Sequence, residues 1–359
     1  MQHQTIDVTK GLGAVRYFRA RQVAKDDLDG AAAWIAGQNW RGADALAELV
    51  QRSGVSAADD ADLRGRNPVL TDLAGAVRAA SVLGNLPGVV RLPFQAATIG
   101  MTGAVRAYWV GQGKAVPASP ITIGEPALLD DKVVGALLVA RDQFLREASP
   151  LAERALAEQL IQATAEAFDT ALLEMSNDGS GDAPASMTYT GYSTASTGST
   201  LAQIDADLGG LVEELSAEDL STARWVLHPR TAGYLARLRG TGGALAHPGI
   251  SVLGGTLLGI PAIVSAGVPM SDSPATTQIS LLIGSGIVMA GGEVELRSSK
   301  QTSIEMDTAP TGDAGTPTAA SKHMVSMFQS GCTALMTIGH ANWRPRRTTV
   351  AATLTGVTY

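Results

Sequence analysis

The stretch Gly-Gln-Gly-Lys at 111–114 has the composition of a loop that could hold a phosphate group. A phosphate-binding P-loop would also need a glycine five positions before Gly113, where Tyr108 stands, and a serine or threonine at Ala115. The flanking residues alternate and are β-branched, which predicts strands on both sides in place of a phosphate-binding helix. We therefore predict the glycine-rich tip of a β-hairpin here and no phosphate site.

Three other stretches carry residue types found at chemical sites. GTGGALA at 240–246 resembles a dinucleotide-binding fingerprint, but it follows a predicted helix instead of a strand. SNDGSGD at 176–182 lacks the glycine and glutamate register of an EF-hand loop, so a helix-terminating turn is expected. Cys332 is expected to be a buried thiol in an apolar strand, because no catalytic or metal-ligand spacing joins it to the histidines. Those histidines are His3, His228, His247, His323 and His340.

A short basic cluster follows Trp343. Arg344, Arg346 and Arg347 surround Pro345. These side chains could contact phosphate, form ion pairs between subunits, or lie on a solvated turn. We expect ion pairs or a solvated turn ahead of phosphate contact, and we predict no catalytic residue, metal or cofactor anywhere in the chain.

The composition favours self-association. The chain has 359 residues, a net charge of −7, one cysteine, and only 17% charged residues. The negative balance argues against a dedicated nucleic-acid binder, and the single cysteine excludes an internal disulfide framework. No uninterrupted apolar run of about eighteen residues occurs, so no membrane span is expected. A weakly charged surface is typical of a chain that is buried against copies of itself.

The apolar pattern predicts a mixed α+β fold. Short helices are expected over 10–52 and 71–86, and β structure over 89–124. The most regular pattern lies at 149–175, where Ser149 and Pro150 begin a helix with a continuous apolar stripe. After it, a helix at 201–215, a strand at 223–229 and a helix at 230–240 alternate. Further strands are predicted within 256–290 and at 294–306, 324–343 and 348–357.

The order of several short signatures resembles the major capsid protein of tailed bacteriophages and prophages, of the Hong Kong ninety-seven type. The resemblance covers about residues 70–359. Its hairpin-tip signature matches Trp109, Val110, Gly113, Pro117 and Ser119. The other signatures are the segment 132–147 before the long helix, the Gly-x-Gly turn at 179–181, a strand ending in His-Pro-Arg at 226–230, the Gly-x-Pro strand at 259–264, and Trp-Arg-Pro at 343–345 before the last strand.

The resemblance implies the parts of that fold. They are an N-terminal helical segment and arm at 1–88, a peripheral domain at 89–182 with 291–344, and an axial domain at 183–290 with 345–359. Within the peripheral domain, 96–125 would form an extended β-hairpin arm over a neighbouring subunit, and 149–175 the spine helix. The arm residues expected to contact that neighbour are Tyr108, Trp109, Gly111, Gly113, Lys114 and Pro117. Relatives with a covalent cross-link use a lysine in this arm, but a solvated Lys114 is the expectation here.

The resemblance also implies a function without catalysis. Hexamers and pentamers of the chain would close an icosahedral shell around double-stranded DNA, which the acidic subunit would confine without reading its sequence. Portal, scaffold or protease, and decoration proteins would be partners. The protein would lie in the virion capsid, after assembly in the host cytoplasm, and no membrane would be involved.

Two alternatives remain open from the sequence. An encapsulin-like bacterial compartment would use the same fold around cargo enzymes, although encapsulins usually begin close to the arm. A soluble α/β enzyme would use the helix–strand alternation at 201–264 and would need a pocket with convergent polar groups.

Overall fold

The computed structural model describes residues 16–17, 19–20, 23–24, 27–38, 40, 43–54, 75–102, 122–143, 150–240, 242–272, 274–299, 301–305, 324–347 and 349–359. The chain divides into two compact units. The first unit contains Met1–Val77, Gly135–Thr164 and Glu293–Gly339, and the second contains Arg78–Val134, Ala165–Gly292 and His340–Tyr359.

The described helices and strands confirm a mixed α+β architecture. The α-helices are α1 (Leu28–Ala36), α2 (Ala43–Gly54), α3 (Val82–Asn85), α4 (Pro150–Leu173), α5 (Leu201–Glu214), α6 (Pro229–Leu235) and α7 (Met327–Ser330), with 3₁₀ turns at Leu220–Thr222 and Gly284–Gly286. The strands are β1 (Val90–Leu92), β2 (Ala97–Thr102), β3 (Thr122–Leu128), β4 (Val133–Arg141), β5 (Tyr192–Ala195), β6 (Ala223–Leu227), β7 (Ile250–Ser251), β8 (Gly254–Leu257), β9 (Ile260–Val264), β10 (Met270–Asp272), β11 (Ala275–Ile283), β12 (Ile287–Ser299), β13 (Ser303–Glu305), β14 (Met324–Ser326), β15 (Cys332–Pro345) and β16 (Ala351–Val357).

The second unit is built on an eight-stranded mixed sheet. Its order is β5-β16-β11-β6-β9-β8-β7, and β10 pairs with β11. The central strand β11 runs antiparallel to β6 and to β16, so that Leu281 lies opposite both Trp225 and Ala352. By contrast, β6–β9 and β5–β16 are parallel pairs. Parallel and antiparallel neighbours therefore meet in one sheet, as is common in large sheets.

The central strands β6, β11 and β16 are buried on both faces, and the few polar side chains in them, such as Ser280 and Thr353, are buried too. On one face, Trp225 and Leu281 belong to the core that includes the buried stripe of α5. On the other face, Val226 and Leu282 belong to a core with Leu172 at the end of α4. Alternate residues of one strand therefore serve two different cores.

Local sequence signals account for the helix boundaries in the second unit. The stripe of α5 is spaced by three and four residues, with Ile204, Leu208 and Leu211 all buried. At its start, the Gln203 side chain accepts a hydrogen bond from the Thr200 amide at 3.3 Å. The short helix α6 has a proline in its first turn, a position where the missing amide hydrogen costs no intrahelical bond.

The first unit has its own small cores. Helices α1 and α2 bury Ile35 and Leu46 together, and Trp34 and Trp40 meet edge to face at 5.4 Å. Elsewhere in this unit, Leu156 of α4 packs against the buried Leu335 of β15. The four-stranded sheet to which β15 belongs has the order β1-β12-β15-β4. The boundaries between the two units fall within the strands β4, β12 and β15 and within the helix α4.

Several predicted elements differ from those observed. The helix expected over 71–86 is interrupted at Ser81, an extended residue whose hydroxyl accepts from the Gly84 amide at 3.2 Å and caps α3. The strand expected over 294–306 is two strands, β12 and β13. The strand expected over 324–343 contains the helical turn α7, which Ser326 caps and Gly331 ends in the left-handed conformation with φ 60°. The predicted burial of Cys332 is also wrong, because the residue is only half-buried.

Within the described residues, no helix is both long enough and apolar enough to cross a bilayer.

Candidate functional site

The base of the expected hairpin arm is present as the antiparallel pair β2–β3. Ala97 lies opposite Leu128, and Thr102 opposite Thr122, with an irregularity between Ile99 and Met101. The six arm residues expected at the neighbour lie in 103–121, outside the described residues, so their roles remain expectations. Because Thr102 and Thr122 are paired, the chain leaves β2 and enters β3 at residues that lie directly opposite each other.

The root of the hairpin is fixed to the second unit. Leu129, which follows β3, is fully buried in a cluster with Val288 and Phe94. The Gln95 amide donates to the Leu129 carbonyl at 3.0 Å, and Gln95 itself has a φ of 62°. A left-handed conformation is uncommon outside glycine and marks a sharp change of chain direction. No signal in the sequence singled out Gln95 as the turn that begins the hairpin.

The arginine cluster lies where β15 ends. The guanidinium of Arg347 forms an ion pair with Glu218 of the same chain, and the Arg346 amide donates to the Gly286 carbonyl at 2.7 Å. The pKa of the neighbouring Asp219 is lowered, mainly because the Ser221 amide and hydroxyl donate to its carboxylate, and to a smaller extent by the Arg347 charge. Arg347 thus has a partner within the chain, although both Arg347 and Arg344 are exposed.

The helix α4 contains a buried carboxylate, Asp169, that the sequence pattern did not predict. Asp169 accepts hydrogen bonds from the Val82 amide at 2.7 Å and from the Ser265 hydroxyl at 2.6 Å. Burial raises the pKa of this carboxyl to about 6, against the lowering effect of the two hydrogen bonds, and nearby Glu166 raises it further. Next to it, Thr170 donates to the Gly267 carbonyl at 3.2 Å. These bonds tie α4 to the N-terminus of α3 and to the loop after β9.

An apolar cavity of about 190 Å³ lies beside the same helix. Phe168 and Trp343 line it, in an edge-to-face pair with ring centroids 6.2 Å apart. Lys132 and Asp182 are its charged lining residues, and the Lys132 ammonium donates to the Gly181 carbonyl at 2.6 Å. The cavity is therefore a mainly apolar space without the convergent polar groups that the enzyme alternative requires.

The remaining candidate motifs have structural partners. The Asn177 side chain accepts from the Gly179 amide at 3.1 Å, so the acidic stretch after α4 forms the expected turn. In GTGGALA, the Gly240 amide donates to the Ala244 carbonyl at 2.9 Å, and the stretch closes on itself as a loop.

The described histidines are dispersed. His228 caps α6 and its pKa is lowered, chiefly by burial, while His340 pairs with Asp131 at 2.8 Å. His247 is buried 3.5 Å from Asp205. Across the part of the chain that the structure describes, no group of three or more His, Cys, Asp or Glu side chains could hold a metal ion.

Comparison with known proteins identifies the family. The sequence matches the model of the Phage capsid family over residues 67–337. It is 30% identical over 364 residues to the capsid polyprotein of Pseudomonas phage PAJU2, an alignment that covers 97% of this chain and 52% of that protein. The chain therefore spans about half the length of this curated relative. Both matches favour a phage capsid over an encapsulin-like compartment, and the family is one of structural proteins, not enzymes.

Solved structures agree at the level of the fold. A structure from Mycobacterium phage Adephagia and one from Mycobacterium phage Cain each superpose with a TM-score of 0.53 at 14% identity. Each comparison covers 77% of this chain and 90% of the other. The chain thus belongs to the phage capsid family and has the α+β, Hong Kong ninety-seven-type fold that its sequence signatures indicate.

Proposed function

We propose that this chain is the repeating subunit of an icosahedral phage head, in which hexamers and pentamers enclose double-stranded DNA. The observation that carries the proposal is the family match over 67–337, which includes residues of both compact units. Large apolar side chains exposed on each unit agree with it, among them Phe328 in the first and Leu253 in the second. Such side chains favour burial against other subunits.

The named domains of the fold are part of the proposal. All residues expected in the axial domain belong to the second unit, and 293–339 of the expected peripheral domain belongs to the first. The two divisions differ over 89–134, 165–182, 291–292 and 340–344, which we assign to the peripheral domain but which belong to the second compact unit. They therefore differ within α4, which the compact units divide after Thr164. At 24 residues this helix is about 36 Å long, which suits a spine that runs beyond one unit.

The hairpin arm is proposed to bind the neighbouring subunit. An isolated two-stranded ribbon is marginally stable in water and gains stability when it packs on another surface. The buried Leu129 fixes the root of the ribbon, so the contact made by its far end would hold two subunits in a defined relation. Tyr108 and Trp109 would anchor this contact, since aromatic side chains are enriched in interface cores.

Other partners follow from the same proposal. The exposed Arg344 is the member of the arginine cluster that we assign to DNA phosphate or to an acidic group of a neighbour. A portal, a scaffold or protease, and decoration proteins would act with the shell, which assembles in the host cytoplasm and remains in the virion.

Electron microscopy of the purified chain tests the proposal. We expect closed particles with five-fold and six-fold clusters of subunits when the protein is concentrated. A chain that stays monomeric across the concentrations reached in an infected cell, with or without a co-expressed scaffold or portal protein, would contradict it. Mass spectrometry of particles from infected cells should then find DNA and portal protein, whereas an enzyme cargo would indicate a compartment.

A further inference from the structure

The walls of the apolar cavity beside α4 belong to the second unit alone. The helix contributes Ala167, Phe168 and Ala171. The start of β4, the turn at 182–184 and the strand β15 form the other sides, and all of these lining residues lie in the same unit. The shape of the cavity is therefore set within one compact part of one chain.

Hydrogen bonds join these walls to each other. The Ala341 amide donates to the Lys132 carbonyl at 2.9 Å, which connects β15 to the start of β4. The Lys132 ammonium donates to the Gly181 carbonyl at 2.6 Å, which connects β4 to the turn. The indole of Trp343 donates to the Ala185 carbonyl at 2.9 Å, which connects β15 to the segment after the turn. The cavity is thus preformed, and a ligand would spend little of its binding free energy on ordering the walls.

The chemistry of the walls favours an uncharged ligand. Because the N–H of Trp343 donates to Ala185, the rest of the indole presents only carbon to the cavity. The charged lining residues, Lys132 and Asp182, have opposite signs, so a charge of either sign on the ligand would meet a like charge as well as an opposite one. Burial of a charge without a matched partner costs free energy.

The volume of the cavity limits the size of the ligand. It is about 190 Å³, below the roughly 300–1,000 Å³ of pockets that hold drug-sized molecules. In another protein, an apolar cavity of about 150 Å³ binds benzene. The rings of Phe168 and Trp343 offer faces and edges to which a further ring can pack. One aromatic ring with small substituents therefore suits this space.

The rim of the cavity is open to solvent. Of its lining residues, Ala167 is exposed and Val133 is 57% exposed. A small molecule can therefore enter the unassembled subunit without unfolding it.

We propose that the cavity beside α4 is a binding site for a small, uncharged molecule with one aromatic ring. The site lies within one unit of one chain, so it does not depend on the proposed shell function. A ring in this space gains dispersion contacts with the walls. Since it binds the folded subunit, it stabilises that subunit increasingly as its concentration rises.

An apolar side chain of a second copy is the competing occupant. It would arrive on a protein surface that also covers the rim, where Asp182 is exposed and Lys132 half-buried. Both charges would then lose solvent, which is unfavourable unless the second copy pairs them. A free ring needs only the apolar walls and leaves both charges in contact with water.

Fluorine NMR of 4-fluorotoluene with unassembled subunits of the full chain tests the site. We expect saturable binding with a Kd on the order of 1 mM or lower, as is usual for a ligand of few atoms. The charged probes 4-fluorobenzoate and 4-fluorobenzylamine have the same ring and should bind at least about tenfold more weakly. The midpoint of thermal unfolding should rise with the concentration of 4-fluorotoluene.

Substitutions on α4 locate the bound probe. Ala167→Leu and Ala171→Leu each place additional carbon atoms in the cavity and should weaken binding at least about tenfold, because the leucine and the ring compete for the same space. Two positions are used in case one leucine disturbs folding, which circular dichroism and urea unfolding detect. Ala163→Leu, at an exposed residue one turn earlier on the same helix, is the matched control and should bind within about twofold of the unmodified chain.

Three results would overturn the proposal. The first is the absence of saturable binding up to the solubility limit of 4-fluorotoluene. The second is equal binding by the unmodified chain and the folded leucine variants at 167 and 171, which would place the probe elsewhere on the protein. The third is an apparent Kd that increases with the subunit concentration, which would show that a second copy fills the cavity instead of a small molecule.

Discussion

The carboxylate of Asp169 lies 2.6 Å from the hydroxyl of Ser265, although 96 positions separate the two residues in the chain. Asp169 belongs to α4, and Ser265 directly follows β9. The same carboxylate accepts the Val82 amide, so one buried acidic side chain joins three segments of the second unit. The low polarity around it, not a neighbouring charge, is the main cause of its raised pKa of about 6.

Because Asp169 is buried, we expect its contribution to the stability of the subunit to be smaller at neutral pH than at weakly acidic pH. Its pKa is about 6 when folded and 3.8 as the ordinary value, so the folded state binds the proton more tightly. The stabilisation is complete below about pH 4 and is lost as the pH rises through 6, for a total of about 3 kcal/mol. Thermal unfolding of unassembled subunits between pH 4 and 7 measures it.

Asp169→Asn is the matched variant for this pH effect. It cannot ionise, yet its amide oxygen can still accept from Val82, so its unfolding free energy should vary less with pH between 4 and 6. Asp169→Ala leaves the Val82 amide without its acceptor and should lose about 1–3 kcal/mol at pH 4, with a smaller loss at pH 7, where the ionised carboxylate destabilises the unmodified chain. An unchanged pH profile in Asp169→Asn would show that another group controls the dependence.

Trp343 should be among the residues most important for stability of the second unit. Its side chain is 1% exposed, its indole donates to the Ala185 carbonyl at 2.9 Å, and its ring meets Phe168. Trp343→Ala should reduce the unfolding free energy by about 3–5 kcal/mol, measured by urea unfolding of subunits. Phe328→Ala, at a mostly exposed ring, should change it by about 0.5 kcal/mol or less. Equal effects of the two substitutions would contradict the packing described.

Replacing 103–121 by Asn-Gly tests the hairpin arm. Thr102 and Thr122 are directly paired, so a two-residue turn can connect them without disturbing the ladder. The shortened chain should fold, with unchanged circular dichroism per retained residue, but should not form closed shells in the electron microscope. In the full chain, Trp109→Ala should impair shell formation if this residue anchors the arm. Lys114→Ala should leave shell formation unchanged if this lysine is solvated. Normal particles from the shortened chain would rule out an essential role for the arm.

The Arg347–Glu218 ion pair should contribute little to stability. Both side chains are partly exposed, at 48% and 26% for Arg347 and Glu218. A double-mutant cycle with Arg347→Ala and Glu218→Ala should give a coupling energy of about 1 kcal/mol or less. The coupling should decrease in high salt, since exposed charges are screened. A coupling several times larger, insensitive to salt, would indicate a buried pair.

Leu258→Asn should stabilise the isolated subunit. Asparagine tolerates the left-handed conformation that Leu258 adopts at φ 51°, so we expect a gain of about 1 kcal/mol in thermal or urea unfolding. Leu258→Val is the opposing control, because a β-branched residue is still less compatible with positive φ. A loss of stability in Leu258→Asn would mean that packing of the leucine outweighs its backbone strain.

Elements with a strong local signal were predictable from the sequence. The helix predicted at 149–175 is observed at Pro150–Leu173, and the one predicted at 201–215 at Leu201–Glu214. Their apolar spacing, and the proline or cap at their starts, are properties of adjacent residues. The turn α7 was missed because a serine cap and a left-handed glycine interrupt an otherwise strand-like apolar stretch.

The contacts that position the candidate sites could not be predicted from the sequence in the same way. The burial of Asp169 depends on segments that lie 87 and 96 residues away, and no local pattern marks an acidic residue on α4 as buried. The internal ion pair of Arg347 likewise depends on Glu218, 129 positions away. The arm residues 108–117 stay a prediction from family resemblance, supported at the base of the hairpin by the β2–β3 register.

The position of β16 has a consequence for synthesis of the protein. This strand is translated after the other strands of its sheet, yet it lies inside the sheet, between β5 and β11, with Ala352 beside Tyr192. Until the ribosome has released residues 351–357, a nascent chain lacks an interior strand and exposes the two edges that should flank it. Unfinished polypeptides therefore cannot present a complete second unit, and we expect only chains translated through this strand to join the proposed shell.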